Sequence, residues 1–187
     1  MSFLFGCPGD VRLLHAQEWP KLLGHVRRLS AEAIYDRFHD DMSDDDLVQW
    51  ARSTIYNDVF GLFVEGELRA TIEVGYRGDR AECALTAEDG MRRYGAGRRL
   101  FGEACAHARD QGARTMAMLT VSRSNRDMRL MAARKGWTVS RSYARSIILP
   151  HAEPQNPLWL LRDLRWRTGP FAILGRLFAG RPAAEQD

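Results

Sequence analysis

The chain has 187 residues, 45% hydrophobic and 27% charged, with a formal net charge of +3. This ordinary globular composition predicts one domain with a real core plus an appendage, and no run of ~18 apolar residues offers a transmembrane helix. The mild positive charge suits a phosphorylated ligand without demanding nucleic acid, and the opening residues lack the basic lead and long apolar run of a signal peptide.

Residues 10–16 read as a first strand. Residues 18–38 read as helix, with Leu22, Leu23, Val26 and Leu29 on one face and Ser30 restarting the helix as an N-cap. An acidic cluster follows at Asp40, Asp41, Asp44, Asp45 and Asp46. Ser43 and Asp46 have the spacing of a capping box, and Leu47, Trp50, Ala51 and Ile55 form a helical stripe behind them. The cluster therefore reads as a solvated helix start rather than a metal site. Recruitment of a cationic substrate is its second reading.

Residues 59–64 and 68–76 read as paired strands joined by a tight turn at Glu65, Gly66 and Glu67. Gly78 and Asp79 turn the chain into a third strand at 81–87. A helix with the stripe Leu100, Phe101, Ala104, Cys105 and Ala108 ends at Gly112. A strand at 116–121 follows, parallel to the previous one because a helix lies between them. Residues 125–135 read as a second helix of this half, stopped by Gly136, and 137–142 with 143–149 as a final hairpin. The order predicts a single α/β domain over 1–149, with helices flanking a central twisted mixed sheet.

The three cysteines, Cys7, Cys83 and Cys105, form no CxxC pair and read as reduced and metal-free, which predicts a cytoplasmic protein. The five histidines are scattered and read as surface or core residues.

The chemistry concentrates in residues 81–100. A strand runs into Glu88, Asp89 and Gly90, then into Arg92-Arg93-Tyr94-Gly95-Ala96-Gly97, then into a helix. Two glycines let main-chain N–H groups approach a bound group, the helix N-terminus adds positive partial charge, and Arg92, Arg93, Arg98 and Arg99 add formal charge. The predicted guest is a phosphate or pyrophosphate. The lysine of a Walker loop and the third glycine of a dinucleotide fingerprint are both absent.

The pattern Arg-x-x-Gly-x-Gly at Arg92, Gly95 and Gly97 resembles the GNAT acetyltransferases, which hold the pyrophosphate of acetyl-coenzyme A with such a loop. A second motif, from Asn125 to Gly136 and Trp137, is similar to the GNAT pattern Asn-x-x-Ala-x-x-Leu-Tyr-x-x-x-Gly-Phe. The resemblance spans roughly residues 10–149. Within the superfamily, Tyr35-Asp36-Arg37-Phe38, Ser53-Thr54, Phe63-Val64 and Ala81-Glu82 resemble the GNAT domain of bacterial protein-lysine acetyltransferases.

The resemblance implies a GNAT fold and an N-acetyltransferase that moves an acetyl group from acetyl-CoA to a primary amine, with no metal. Leu85, Thr86 and Ala87 would offer main-chain N–H groups to the pantetheine and thioester. Arg92, Arg93, Tyr94, Gly95, Ala96, Gly97 and Arg98 would hold the pyrophosphate. Asn125 would touch the pantetheine or orient the strand end, and Arg129, with Arg123, Arg126, Arg134 and Lys135, would meet the 3′-phosphate or form a solvated helix face. Tyr35, Arg37, Phe38 and His39 would lie near the acceptor wall.

Glu82 is the general base that the resemblance implies, set against a reading as an exposed strand carboxylate paired with Arg80. Glu73 is the next alternative, and Glu88 and Asp89 are weaker ones. The tyrosine that protonates the leaving thiolate in many GNAT enzymes falls at Ala132. Tyr143, Tyr94 and Cys83 are the replacement candidates, and a thiolate of pKa ~8.5 also leaves unaided. Ala132 keeps a rival reading open, a non-catalytic CoA-binding module that senses acyl-CoA or mediates assembly.

Residues 150–187 form a proline-bearing linker and a basic, aromatic tail containing Leu158-Trp159-Leu160-Leu161, Trp166 and Phe171 with interleaved arginines. Docking on the enzyme or on a second subunit to form a homodimer is the expectation for it. Membrane-surface contact is the alternative, and no nucleic-acid reader fold is evident.

Overall fold

The computed structural model describes residues 7–91 and 94–118, with 128 and 130, and the backbone of Ala144–Ile148. Strand β1 spans Asp10–Leu13, shorter than expected, because the chain turns into a 3-10 segment at Ala16–Glu18. Helices α1 (Trp19–Arg27) and α2 (Ala31–Phe38) are separate, and the Ser30 side chain accepts the Ala33 N–H as the N-cap of α2. Helix α3 (Asp44–Thr54) opens on the expected capping box: Ser43 accepts from the Asp46 N–H, and Asp46 accepts from the Ser43 N–H. Asp44 is paired with Arg27 at 2.6 Å. The acidic cluster is thus a helix start, as its solvated reading expects.

Strands β2 (Asp58–Val64), β3 (Glu67–Arg77) and β4 (Arg80–Ala87) form an antiparallel meander. The first hairpin turns through Glu65 and Gly66 with φ of 53° and 81°. Both residues need the left-handed region, and glycine supplies it at no steric cost. Helix α4 (Ala96–Asp110) crosses to β5 (Thr115–Met118), which lies parallel to β4. Strand β6 (Ala144–Ile148) pairs antiparallel with β5 and closes a six-stranded mixed sheet ordered β1-β2-β3-β4-β5-β6. The expected helix at 125–135 is represented by Met128 and Leu130, both helical. The rest of it, the strand at 137–142 and the tail 150–187 lie outside the described residues.

Strand alternation divides the core between the two faces of the sheet. Phe60, Leu62, Ala70, Ile72, Val74, Ala81 and Cys83 pack with Leu100, Phe101, Ala104 and Ala108 of α4 on one face. On the other, Val59, Phe63 and Leu68 pack with Leu22, Leu23 and Val26 of α1 and Leu47, Trp50 and Ala51 of α3. Gly61 sits on this second face: a Cβ there would meet Leu68 Cδ1 at 2.5 Å and Leu14 Cδ1 at 2.6 Å. Among the described residues no helix is long and apolar enough to cross a membrane.

Candidate active site

Residues Ala81, Cys83, Leu85 and Ala87 of β4 face the α4 side, so Glu82, Ala84 and Thr86 face α1 and α2. Glu82 lies opposite Gly75 of β3 and Ala117 of β5. It is 8% exposed, and its Oε1 is 2.9 Å from Arg80 Nη2. The pairing with Arg80 is as the strand-carboxylate reading expects, but the exposure that reading gave Glu82 is not: the side chain is buried between β3 and β5. Burial pushes its carboxyl above the usual carboxylate range, while the charges of Arg80 and Arg77 oppose the shift. A carboxylate so raised is a better proton acceptor than a solvated one.

Glu73 shares this face, one register step away opposite Ala84. It is fully buried, and Arg37 Nη2 of α2 chelates both of its oxygens at 2.8 and 2.9 Å. Arg37 is itself held beside the rings of Phe38 and Trp50, 4.9 and 5.8 Å from their centroids. This occupied ion pair is a poor free base, and it pins α2 against the sheet beside Glu82. Of the residues expected near an acceptor wall, Arg37 is thus turned onto Glu73 of β3, whereas Tyr35 is exposed to solvent.

Two other candidates drop out. Glu88 accepts hydrogen bonds from His25, Arg28 and Arg69. Burial would raise its pKa, but these three partners together hold it down at about 2, too acidic for a base at neutral pH. Cys83 faces the α4 core, on the opposite side of β4 from Glu82, and burial pushes its thiol far up. It is not placed to protonate a group beside Glu82. Tyr94 is 64% exposed at the loop.

The helix beyond the loop starts without a side-chain cap. Gly95 is the N-cap of α4 with φ 87°, a conformation that glycine adopts freely, and it has no side chain to cap the helix. The first intrahelical bond runs from the Arg99 N–H to the Gly95 carbonyl, so the N–H groups of Ala96, Gly97 and Arg98 have no intrahelical partner. By contrast, α2 and α3 are capped by Ser30 and Ser43. Ala96 is buried and Arg98 exposed. Arg99 does not join the loop's charge: its Nη1 donates to the carbonyls of Cys7 at 3.1 Å and Gly9 at 2.5 Å. The guanidinium ties α4 to the chain ahead of β1.

Among the described residues the β4–β5 ladder runs from Arg80 opposite Thr115 to Cys83 opposite Met118. Leu85, Thr86 and Ala87 pair with Ile72, Thr71 and Ala70 of β3. Glu82, the 85–87 stretch and the α4 N-terminus follow one another along the chain, from the interior strand β4 into the helix that packs on it. Arg92, Arg93, Asn125, Arg129, Ala132 and Tyr143 lie outside the described residues. The residue that sequence reasoning passed over is His25, wholly buried under Thr86. Its signal was a polar side chain in the apolar stripe of Leu22, Leu23 and Val26.

The family model described as "Acetyltransferase (GNAT) family" matches residues 22–137. No curated protein matches the chain. Among solved structures, the chain is similar to the GNAT domain of S. lividans PAT, at 22% identity and a TM-score of 0.65, over 75% of this chain and 90% of that one. It is also similar to the PaiA N-acetyltransferase of Thermoplasma acidophilum in complex with coenzyme A, at 16% identity and a TM-score of 0.58, over 75% and 99% of the two chains. A third likeness is to YncA of Salmonella typhimurium with its cofactor acetyl-CoA, at 12% identity and a TM-score of 0.60, over 80% and 99%. At these identities the structural likeness speaks for the fold, and the family model covers well over half of the chain. The chain belongs to the acetyltransferase (GNAT) family.

Proposed function

We propose that this protein transfers an acetyl group from acetyl-CoA to a primary amine, a protein lysine or a small molecule, with Glu82 as the general base. The observation that carries the reading is the position of a buried carboxylate of raised pKa on β4, just ahead of an uncapped helix N-terminus. The pyrophosphate lies on the N–H groups of Ala96, Gly97 and Arg98, with Arg92, Arg93 and Tyr94 around it. The pantetheine follows β4 past Ala87, Thr86 and Leu85, with Asn125 beside it and Arg129 toward the 3′-phosphate. That course brings the thioester toward Glu82. The known structures of relatives with CoA or acetyl-CoA favour the same donor.

In the reaction, Glu82 takes a proton from the ammonium, directly or through one water, and the freed amine nitrogen attacks the thioester carbonyl. Main-chain N–H groups of β4 stabilise the oxyanion. The attacking nitrogen gives up its second proton to solvent, the C–S bond breaks to leave the amide, and the thiolate leaves and takes a proton from Tyr143 or from solvent. The acceptor is bound on the α1–α2 side, where Arg37 and Glu73 fix the wall. The resemblance of Tyr35-Asp36-Arg37-Phe38 and Ala81-Glu82 to the pattern of bacterial protein-lysine acetyltransferases favours a protein lysine. All three cysteines are free thiols, in keeping with a cytoplasmic setting, and we assign residues 150–187 to docking on the enzyme or on a second subunit.

The test is Glu82→Gln, which keeps shape and removes the base. Turnover should fall by at least about 100-fold while CoA affinity stays nearly constant. Full activity in this variant would remove Glu82 from the mechanism.

A further inference from the structure

The end of β4 is held from beneath by a hydrogen-bonded chain that crosses three elements. Thr71 of β3 and Thr86 of β4 are register partners, with their hydroxyl oxygens 2.7 Å apart. Thr86 Oγ1 is also 2.9 Å from Nε2 of His25 on α1. His25 Nδ1 is 3.4 Å from Glu88, whose carboxylate further accepts from Arg28 Nε and Arg69 Nη1, each at 2.8 Å. Arg28 Nη2 in turn donates to the Leu68 carbonyl at 2.7 Å.

One arrangement of protons satisfies the whole chain. Glu88 is ionised and only accepts, so the His25 proton sits on Nδ1. Nε2 is then an acceptor, and the Thr86 hydroxyl must donate to it. The Thr86 oxygen accepts from the Thr71 hydroxyl. Burial keeps the imidazole neutral, Glu88 opposes this, and the charges of Arg28 and Arg69 reinforce it.

The order hydroxyl, imidazole, carboxylate is that of a nucleophilic triad, but Thr86 is 5% exposed and its hydroxyl proton is already committed. It orients rather than attacks. Packing alone does not call for a histidine here, because a leucine would extend the stripe of Leu22, Leu23 and Val26 without burying two ring nitrogens. What the chain fixes is the position of Thr86 and Glu88, the residues on either side of Ala87.

We propose that His25 is a positioning residue for the acyl donor: through Thr86 and Glu88 it holds the main chain of 85–87 in register with the pantetheine arm. This rests on the acyl-CoA site proposed above. The polar chain stiffens the short stretch that must present its N–H groups in fixed directions. The nucleotide end of the donor, held by the α4 N-terminus, does not depend on it.

The experiment compares His25→Gln and His25→Phe with wild type, at a temperature where thermal melts show all three folded. Calorimetry measures the affinity for CoA and for 3′-phospho-ADP, which carries the nucleotide and pyrophosphate without the pantetheine. CoA binding should weaken about tenfold in His25→Phe and less in His25→Gln, whose amide can still accept from Thr86. Affinity for 3′-phospho-ADP should not change. Equal losses for the two ligands, or no loss for CoA, would overturn the assignment. Wild type that binds neither ligand would instead sink the acyl-CoA site itself.

Discussion

Glu82 is buried enough to raise its pKa and close enough to Arg80 to keep the rise in check, and this balance makes a distinct prediction. A base works deprotonated, so kcat/KM should rise with pH through the Glu82 pKa. Arg80→Met removes a charge that lowers that pKa, so the acidic limb of the profile should move to higher pH. A profile that stays in place would mean that the limb belongs to another group. The resemblance to GNAT enzymes pointed to Glu82, and strand alternation in the sequence was enough to put it on the face opposite Cys83. Its burial was not legible, because that depends on α1 and α2 folding back over the sheet. The same holds for His25 and for Arg99, whose partners are 61 and about 90 positions away in the chain.

Among the elements, α4 shows most directly how local sequence makes the proposed binding site. Gly95 begins the helix in the left-handed region and leaves three N–H groups uncapped. A Cβ at Gly95 would meet little, with Arg98 Nη2 nearest at 4.0 Å. The obstacle to a side chain there is the backbone conformation, together with whatever occupies the N–H groups. Gly95→Val should therefore cost about 1–2 kcal/mol of stability from the positive φ alone. It should also weaken CoA binding by more than tenfold, measured by calorimetry on folded protein. Helix α3 is the contrasting case. Ser43→Ala should cost about 1 kcal/mol in a denaturant melt, with kcat/KM per folded molecule unchanged, because this cap holds only a helix start. Capping boxes, the Glu65-Gly66 turn and the α4 stripe were all legible because each is written within a few residues. The bend from β1 into the 3-10 segment at Ala16–Glu18 was not, although the ion pair of Arg12 with Glu18 that accompanies it spans only six positions.

At the scale of the molecule, the sheet separates two tasks: α4 and its apolar partners back the donor loop on one face, while α1 and α2 carry the polar groups on the other. Those polar groups tie stability to pH. Glu88 and Glu18 have folded pKa values depressed below their unfolded ones, Glu88 to about 2. Their stabilisation is present above about pH 4.5 and is lost as the pH falls through the folded values. His25 is also depressed, so below about pH 6.5 the unfolded chain takes up a proton that the folded chain refuses. Both effects lower stability on acidification, the raised carboxyl of Glu82 works in the opposite direction, and the His25 contribution should appear as a fall in Tm between pH 7 and 5.5. In His25→Phe that first decline should flatten, and an unchanged slope would place its origin elsewhere.

The central claim is that this fold binds acetyl-CoA and delivers its acetyl group to an amine. Its most direct test is a calorimetric titration of the full chain with acetyl-CoA, followed in the same sample by thiol release on adding an amine panel that includes lysine peptides. The account predicts saturable binding and thiol release that depends on the amine, with the responding amine naming the acceptor class. Binding with no release from any amine would contradict the catalytic claim and favour a CoA sensor, and no binding would contradict the reading of the Gly95 loop from which the rest follows.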